Sequence, residues 1–238
     1  YVGNTRSYID WSVYYFGSYS QSELSFFTSI CTNRSDTSQA HQVVLDIGAN
    51  SGNHSLFYAL SGFQVYAFEP NPHTLASLKN NIKLNPTLDI TAVPIGLSDT
   101  TGYLDLSLPT GSNLGTASLS SNISRNLLRV PVVTGDAYVF DNNIRDIYFI
   151  KIDVEGHELR VLSGLVRILH RDRPIVFVEV NTCLPFHEFK SYFPSGYSFK
   201  RFHGDRPLFF LFNSLNCDQT LITPNQVISP GNYLAYSS

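Results

Sequence analysis

The chain has 238 residues, which is enough for one well-packed domain with extensions but too short for two full domains. Its hydrophobic share of 43% is typical of a globular protein and excludes an intrinsically disordered chain. The net charge of −3 gives no general attraction for a polyanion, so nucleic acid is not expected as a partner.

The three cysteines are odd in number and far apart, which predicts neither a disulfide framework nor a zinc site. No apolar run approaches the roughly 20 residues of a membrane-spanning helix, and the polar start is not typical of a signal peptide. A soluble, cytoplasmic protein is therefore expected. Because the chain contains no methionine, we expect it to begin after the initiator, by processing or as part of a longer polypeptide. The sequence gives no indication of the oligomeric state.

Residues 1–40 are predicted to form an N-terminal helical cap on a main domain that spans residues 41–238. Within this cap, Ser20 to Cys31 has helical spacing of its apolar residues, including Leu24, Phe27 and Ile30. Two roles stay open for this helix: it covers the sheet, or it closes a binding site.

From residue 43 onwards, short β-branched runs alternate with helical patterns, which predicts an α/β fold with a mostly parallel sheet. Asn71 and Pro72 are the cap and first residue expected of one of these helices. The predicted order is strand 43–47, helix 53–60, strand 65–69, a helix from Pro72 and strand 90–95.

Residues 102–133 break this alternation and predict an inserted hairpin or lid, with a Gly/Ser/Asn-rich segment at 110–121. A fourth strand at 147–152 ends at Asp153, and a helix follows Gly156. A fifth strand is predicted at 175–180. The apolar runs 197–202 and 208–212 predict a hairpin that closes the sheet.

Acidic residues follow or end three successive strands. Asp46 lies at the end of the first strand and opens the pattern Asp-x-Gly-x-x-x-Gly, in which Gly48 and Gly52 let the backbone approach a ligand. Glu69 ends the second strand, where a carboxylate can accept hydrogen bonds from ribose hydroxyls. Asp99, just past the third strand, is placed to accept a hydrogen bond from an adenine amino group.

The carboxylate of Asp46 favours one class of nucleotide cofactor over another. A pyrophosphate binds bare amides at a helix N-terminus and would be repelled by a carboxylate, whereas a cofactor with a cationic amino-acid end is attracted. The site therefore favours S-adenosylmethionine, with its ammonium and sulfonium, over NAD.

The stretch from Val43 to Glu179 resembles the FkbM family of S-adenosylmethionine-dependent methyltransferases. The resemblance is carried by four segments: Leu45 to Gly52, Ala67 to Asn71, Gly96 to Asp99 and, most distinctively, Phe149 to Glu158. It implies a Rossmann-like, seven-stranded methyltransferase sheet with an antiparallel last strand and helices on both faces. It further implies O-methylation of a small molecule or sugar. Asp46, Gly48, Asn50 and Gly52 would hold the methionine end, Glu69 the ribose, and Ser98 with Asp99 the adenine.

Methyl transfer needs few catalytic groups, because the protein mainly aligns the acceptor oxygen and accepts a proton. Asp153, at the end of the fourth strand, is the first candidate for base or acceptor orienter, beside the cofactor. His157 and Glu179 are further candidates. A divalent metal on Asp153, Glu179 and Asn181 is an alternative, although no metal is expected.

Two other functions stay open: a catalytically silent S-adenosylmethionine-binding module, and an RNA or cap methyltransferase within a longer polypeptide. The Lys-Asp-Lys-Glu tetrad of cap methyltransferases cannot be assembled in its usual order. No lysine precedes Lys79, and none falls between Asp153 and Glu179.

Overall fold

The computed structural model describes residues 1–3, 20–32, 42–108, 127–203, 218–222 and 226–237. The helices are α1 (Gln21–Thr32), α2 (Asn53–Leu60), α3 (Pro72–Lys83), α4 (Gly135–Asp141), α5 (Glu158–Ser163), α6 (Val166–Arg171) and α7 (Phe186–Ser191). The strands are β1 (Val43–Ile47), β2 (Gln64–Phe68), β3 (Ile90–Val93), β4 (Gly96–Ser98), β5 (Gly102–Ser107), β6 (Leu127–Thr134), β7 (Ile147–Ile152), β8 (Ile175–Val180), β9 (Leu184–Pro185), β10 (Tyr197–His203), β11 (Asp218–Leu221), β12 (Val227–Ile228) and β13 (Gly231–Ser237).

The main sheet has the order β3-β2-β1-β7-β8-β13-β10-β11. Strands β3, β2, β1, β7 and β8 are parallel, and β13 is antiparallel to both of its neighbours. The α/β class and the antiparallel last strand are therefore confirmed. The count of seven strands is wrong for the described residues, because β11 adds an eighth strand by pairing antiparallel with β10 at the edge.

The predicted third strand ends two residues early. Pro94 has no N–H to donate to a neighbouring strand, and β3 stops at Val93. The chain re-enters a strand at Gly96, but β4 pairs with β6 in a separate sheet of order β4-β6-β5. Strands β5 and β6 form an antiparallel pair within the predicted 102–133 insertion. The segment 110–121 and the run 208–212 lie outside the described residues.

Helices pack on both faces of the main sheet, as predicted. Leu162, Ile168 and Phe189, from α5, α6 and α7, lie in one apolar cluster. On the other face, Phe27 of α1 and Tyr58 of α2 join a cluster rich in aromatic residues. In the described part of the chain, no helix has the length and apolar character needed to cross a membrane.

The register of the parallel strands determines which residues meet at the edge of the sheet. Ile47 is in register with Phe68 on one side and with Ile152 on the other, and Ile152 is in register with Val178. The carboxyl ends of β1, β2, β7 and β8 therefore meet at one edge of the sheet, and the residues that follow them converge there.

Candidate functional site

A cavity opens at this carboxyl edge of the sheet. Its wall includes the turn after β1, the residues after β2, Gly96 and Leu97, and the end of β7 with the loop that follows it. The predicted site residues on this wall are Gly48, Asn50, Glu69, Asp153 and Glu179. One cavity thus joins four of the predicted cofactor residues, Gly48, Asn50, Glu69 and Asp153, to the predicted catalytic carboxyl group of Glu179.

The turn between β1 and α2 is shaped by glycine. Gly48 has φ +87°, and a Cβ there would overlap the backbone carbonyl oxygen of Asp153. The N–H groups of Gly48 and Ala49 both donate to the carbonyl of Phe68, at 3.0 Å. Gly52, with φ +92°, lies against Leu78 of α3. The turn therefore packs against the ends of β2 and β7 and the middle of α3, and a side chain at Gly48 would clash with the backbone.

Asp46 is 1% exposed and lies behind this turn, outside the residues that line the cavity. Its Oδ2 accepts a hydrogen bond from Ser55 in α2. Its Oδ1 is buried without a hydrogen-bond partner among the described residues. The carboxylate thus brings negative charge close beneath the cavity and retains the capacity to accept another hydrogen bond.

Glu69 lies on the cavity wall and is 7% exposed. Its Oε2 accepts from the N–H of Asn50 at 2.9 Å, and its Oε1 accepts from the N–H of Asn71 at 2.8 Å. Burial raises the pKa of Glu69 to about 7, with these hydrogen bonds acting in the opposite direction. Two backbone hydrogen bonds thus hold the carboxyl group in place, and it is mostly ionised only above about pH 7.

Lys151, Asp153 and Glu179 form a compact charged group. Lys151 is 3% exposed, and its Nζ lies 2.8 Å from Asp153 Oδ2. Burial favours the neutral form of Asp153, but the Lys151 ammonium and a hydrogen bond with Glu179 hold its pKa below the usual range. Burial, followed by repulsion from Asp153, raises the pKa of Glu179 to about 8. Of the two carboxyl groups, Glu179 therefore takes up a proton at a higher pH than Asp153 does.

Ser98, Asp99 and His157 form a separate group that does not line the cavity. The Ser98 hydroxyl lies 2.9 Å from His157 Nε2 and donates to Asp99 at 3.0 Å. Asp99 also pairs with Arg160 at 3.2 Å. Burial, with the positive charge of Arg160, lowers the pKa of His157. Adenine binding by Ser98 and Asp99 and catalysis by His157 stay predictions, and Gly96 and Leu97 are the residues of this segment that reach the cavity.

The described residues contain no group of three His, Cys, Asp or Glu side chains arranged to hold a metal ion. Of the three alternative metal ligands, Asp153 is paired with Lys151, and Asn181 is exposed and does not line the cavity. The geometry thus gives the metal alternative no ligand set in this part of the chain.

Sequence reasoning missed three residues of the site. Lys151 lies within an otherwise apolar strand, and an ionisable residue in such a run is the signal that could have revealed it. His54 lines the cavity, and its Nε2 is 3.3 Å from Glu23 Oε2 of α1. Glu23 accepts a further hydrogen bond from Asn232 of β13. These contacts join α1, α2 and β13, which are far apart in the sequence and come together only in the fold.

Known proteins resemble this chain in sequence and in fold. The family described as Methyltransferase FkbM domain matches residues 46–207. The chain belongs to the FkbM methyltransferase family. This membership confirms the resemblance carried by the segments between Leu45 and Glu158.

Two relatives of this FkbM chain show how far the likeness extends. The hexuronic acid methyltransferase AglP of Haloferax volcanii is 32% identical over 149 residues, which is 61% of this chain. The chain spans 59% of the length of that protein. A crystal structure of an FkbM methyltransferase from Methylobacillus flagellatus superimposes with a TM-score of 0.50 at 18% identity, covering 83% of this chain and 44% of that one. This structural likeness establishes a shared fold.

Proposed function

We propose that this chain is an S-adenosylmethionine-dependent O-methyltransferase that acts on a hydroxyl of a small molecule or sugar. The observation that carries the proposal is the single cavity on which Glu69 and the glycine turn face the Lys151–Asp153–Glu179 group. This arrangement supports the proposal, because one bound molecule can contact both the carboxyl group proposed to bind the ribose and the carboxyl groups proposed to orient and deprotonate the acceptor.

The residues at the carboxyl edge fit this cofactor. Gly48 and Asn50 line the cavity at the turn after β1, and Gly52 follows them against Leu78. These three residues would hold the methionine end. Asp46 lies beneath it with an unpartnered carboxylate oxygen, so it favours a cationic ligand. Glu69 would accept hydrogen bonds from ribose hydroxyls. When bound, S-adenosylmethionine supplies a methyl group activated by its sulfonium.

Asp153 and Glu179 have different roles in the proposed reaction with a hydroxyl acceptor. Methylation of a hydroxyl forms a new C–O bond, breaks the C–S bond with its electron pair leaving on sulfur, and releases one proton. Asp153, kept ionised by Lys151, can orient the hydroxyl by accepting its hydrogen bond. Glu179, once ionised, is the stronger proton acceptor, because its pKa of about 8 is closer to that of a hydroxyl.

The acceptor class is supported by the relative. The name of AglP describes a protein that methylates a hexuronic acid. We therefore propose that this chain acts on a sugar, whether neutral or acidic, ahead of other small molecules.

A panel of acceptors tests the proposal. S-adenosylhomocysteine release would be measured with methyl glycosides of neutral hexoses and of hexuronic acids, and the methylated product identified by mass spectrometry. We expect turnover with at least one sugar, and Asp153→Asn should reduce it by roughly 100-fold, because the acceptor hydroxyl is no longer oriented.

The matched control is Glu188→Gln, which removes an exposed carboxyl of α7 outside the cavity and should leave the rate unchanged. Binding of S-adenosylmethionine without release of S-adenosylhomocysteine on any acceptor would favour the silent binding module. Equal rates for wild type and Asp153→Asn would contradict the assigned role of Asp153.

A further inference from the structure

Asn71 lines the cavity two residues after Glu69 and has no assigned function beyond capping α3. Its side chain is 1% exposed. The Oδ1 atom accepts a hydrogen bond from the N–H of His73 at 3.1 Å, as an N-cap residue does. The Nδ2 atom is buried and has no hydrogen-bond partner among the described residues.

The cap fixes which end of the Asn71 amide is which. A backbone N–H can bond only to an acceptor, so the oxygen must face His73 and the NH₂ group must occupy the other position. Exchange of the two ends would break the cap and leave two donors facing each other. The unpartnered donor is therefore a consequence of how α3 begins.

A buried amide donor without a partner is unfavourable, and such groups are rare unless a ligand or water satisfies them. Beside it, Glu69 is an acceptor. The two residues that contain this donor and this acceptor both line the cavity. A hydroxyl group, which both donates and accepts, is complementary to such a pair.

We propose that Asn71 binds the ribose of the cofactor, donating from Nδ2 to the oxygen of a hydroxyl whose proton is donated to Glu69. This inference rests on the proposed function, since it takes S-adenosylmethionine as the ligand. It adds a donor to a site at which only a carboxylate acceptor was expected.

The test is calorimetric titration of wild type and Asn71→Ser with S-adenosylhomocysteine and with its 2′-deoxy and 3′-deoxy analogues. Serine retains an oxygen for the cap of α3 but removes the amide donor. We expect Asn71→Ser to bind S-adenosylhomocysteine about three- to tenfold more weakly, which is the loss of one neutral hydrogen bond. With one of the two deoxy analogues, the difference between the proteins should disappear, because the hydroxyl is already absent.

The control variant is Thr134→Ala, which removes the side-chain cap of α4 at a residue that does not line the cavity. It should lower thermal stability without changing affinity. Equal affinities of wild type and Asn71→Ser, or the same loss with all three ligands, would overturn the assignment to a ribose hydroxyl. Absence of binding by the wild type would instead overturn the proposed function on which the inference rests.

Discussion

Two carboxyl groups of the site carry different protonation states because of their immediate neighbours. Asp153 lies 2.8 Å from the Lys151 ammonium, whereas Glu179 faces the negative charge of Asp153 from a partly buried position. Glu155 and Glu23 add further negative charge near Glu179, and Lys151 acts in the opposite direction. The first proton that the pair binds as the pH falls therefore goes to Glu179.

This proton makes stability depend on pH. Because the pKa of Glu179 is raised to about 8, the folded protein binds the proton more tightly than the unfolded chain does. The resulting stabilisation is present below the usual pKa range of glutamate and is lost as the pH rises through about 8. We predict that Glu179→Gln loses less thermal stability than wild type between pH 5 and about pH 9, as measured by melting temperatures. Parallel pH profiles for the two proteins, with Glu188→Gln as the control, would contradict this.

Among single residues, those that end or follow a predicted parallel strand could be assigned to the site from the sequence. Glu69, Asp153 and Glu179 follow or end parallel strands, and the structure brings them to one cavity. Lys151 was missed because a lysine in a strand is normally exposed, and its burial depends on the pairing partner two residues away. The contact between Ser98 and His157 joins residues 59 apart, which no local pattern encodes.

Among the elements, α1 is the one whose role the sequence left open. Phe27 is 1% exposed and packs against Tyr58, Phe63 and Phe149, with ring centroids 4.5 to 5.3 Å away. At the same time, Glu23 of this helix reaches His54 on the cavity wall. The helix therefore covers the sheet and also contributes charge at the edge of the site. The division into a cap of residues 1–40 and a main domain stays a prediction.

If α1 is an integral part of the core, truncation of its most buried side chain should lower the stability of the protein. We predict that Phe27→Ala lowers the free energy of unfolding by about 3–5 kcal/mol, as expected for truncation of a buried aromatic residue. Urea denaturation would measure the change. Thr28→Ala, at the adjacent exposed position, should change it by less than about 1 kcal/mol. A similar small change for Phe27→Ala would indicate that the helix is only loosely docked.

The elements that sequence reasoning misplaced have local physical causes. β3 ends early, at Val93, because Pro94 follows it, and residues 96–98 pair with β6 in a second sheet. The sequence pattern of one strand does not reveal which strand it pairs with. The extra strand β11 pairs only at the outer edge of the sheet, where few apolar residues mark it. By contrast, the long apolar runs of β1, β7 and β8 were predicted with correct bounds, because buried parallel strands are read directly from continuous hydrophobic sequence.

Across the whole molecule, the sheet order determines how the site is assembled. β1 lies between β2 and β7, so the glycine turn after β1 is flanked by Glu69 on one side and Asp153 on the other. β8 and the antiparallel β13 extend this edge and add Glu179 and Asn232, which are in register with each other. A cofactor bound at the turn would thus lie between its own anchoring residues and the acid–base group.

The most direct measurement is calorimetric titration of S-adenosylmethionine into wild type, Asp46→Ala and Glu69→Ala at about pH 8. At this pH most of Glu69 is ionised, because its pKa is about 7. We expect micromolar binding by the wild type that is lost or strongly weakened in both variants. Binding that survives Glu69→Ala unchanged, or no binding by the wild type, would contradict the assignment of this cavity to S-adenosylmethionine.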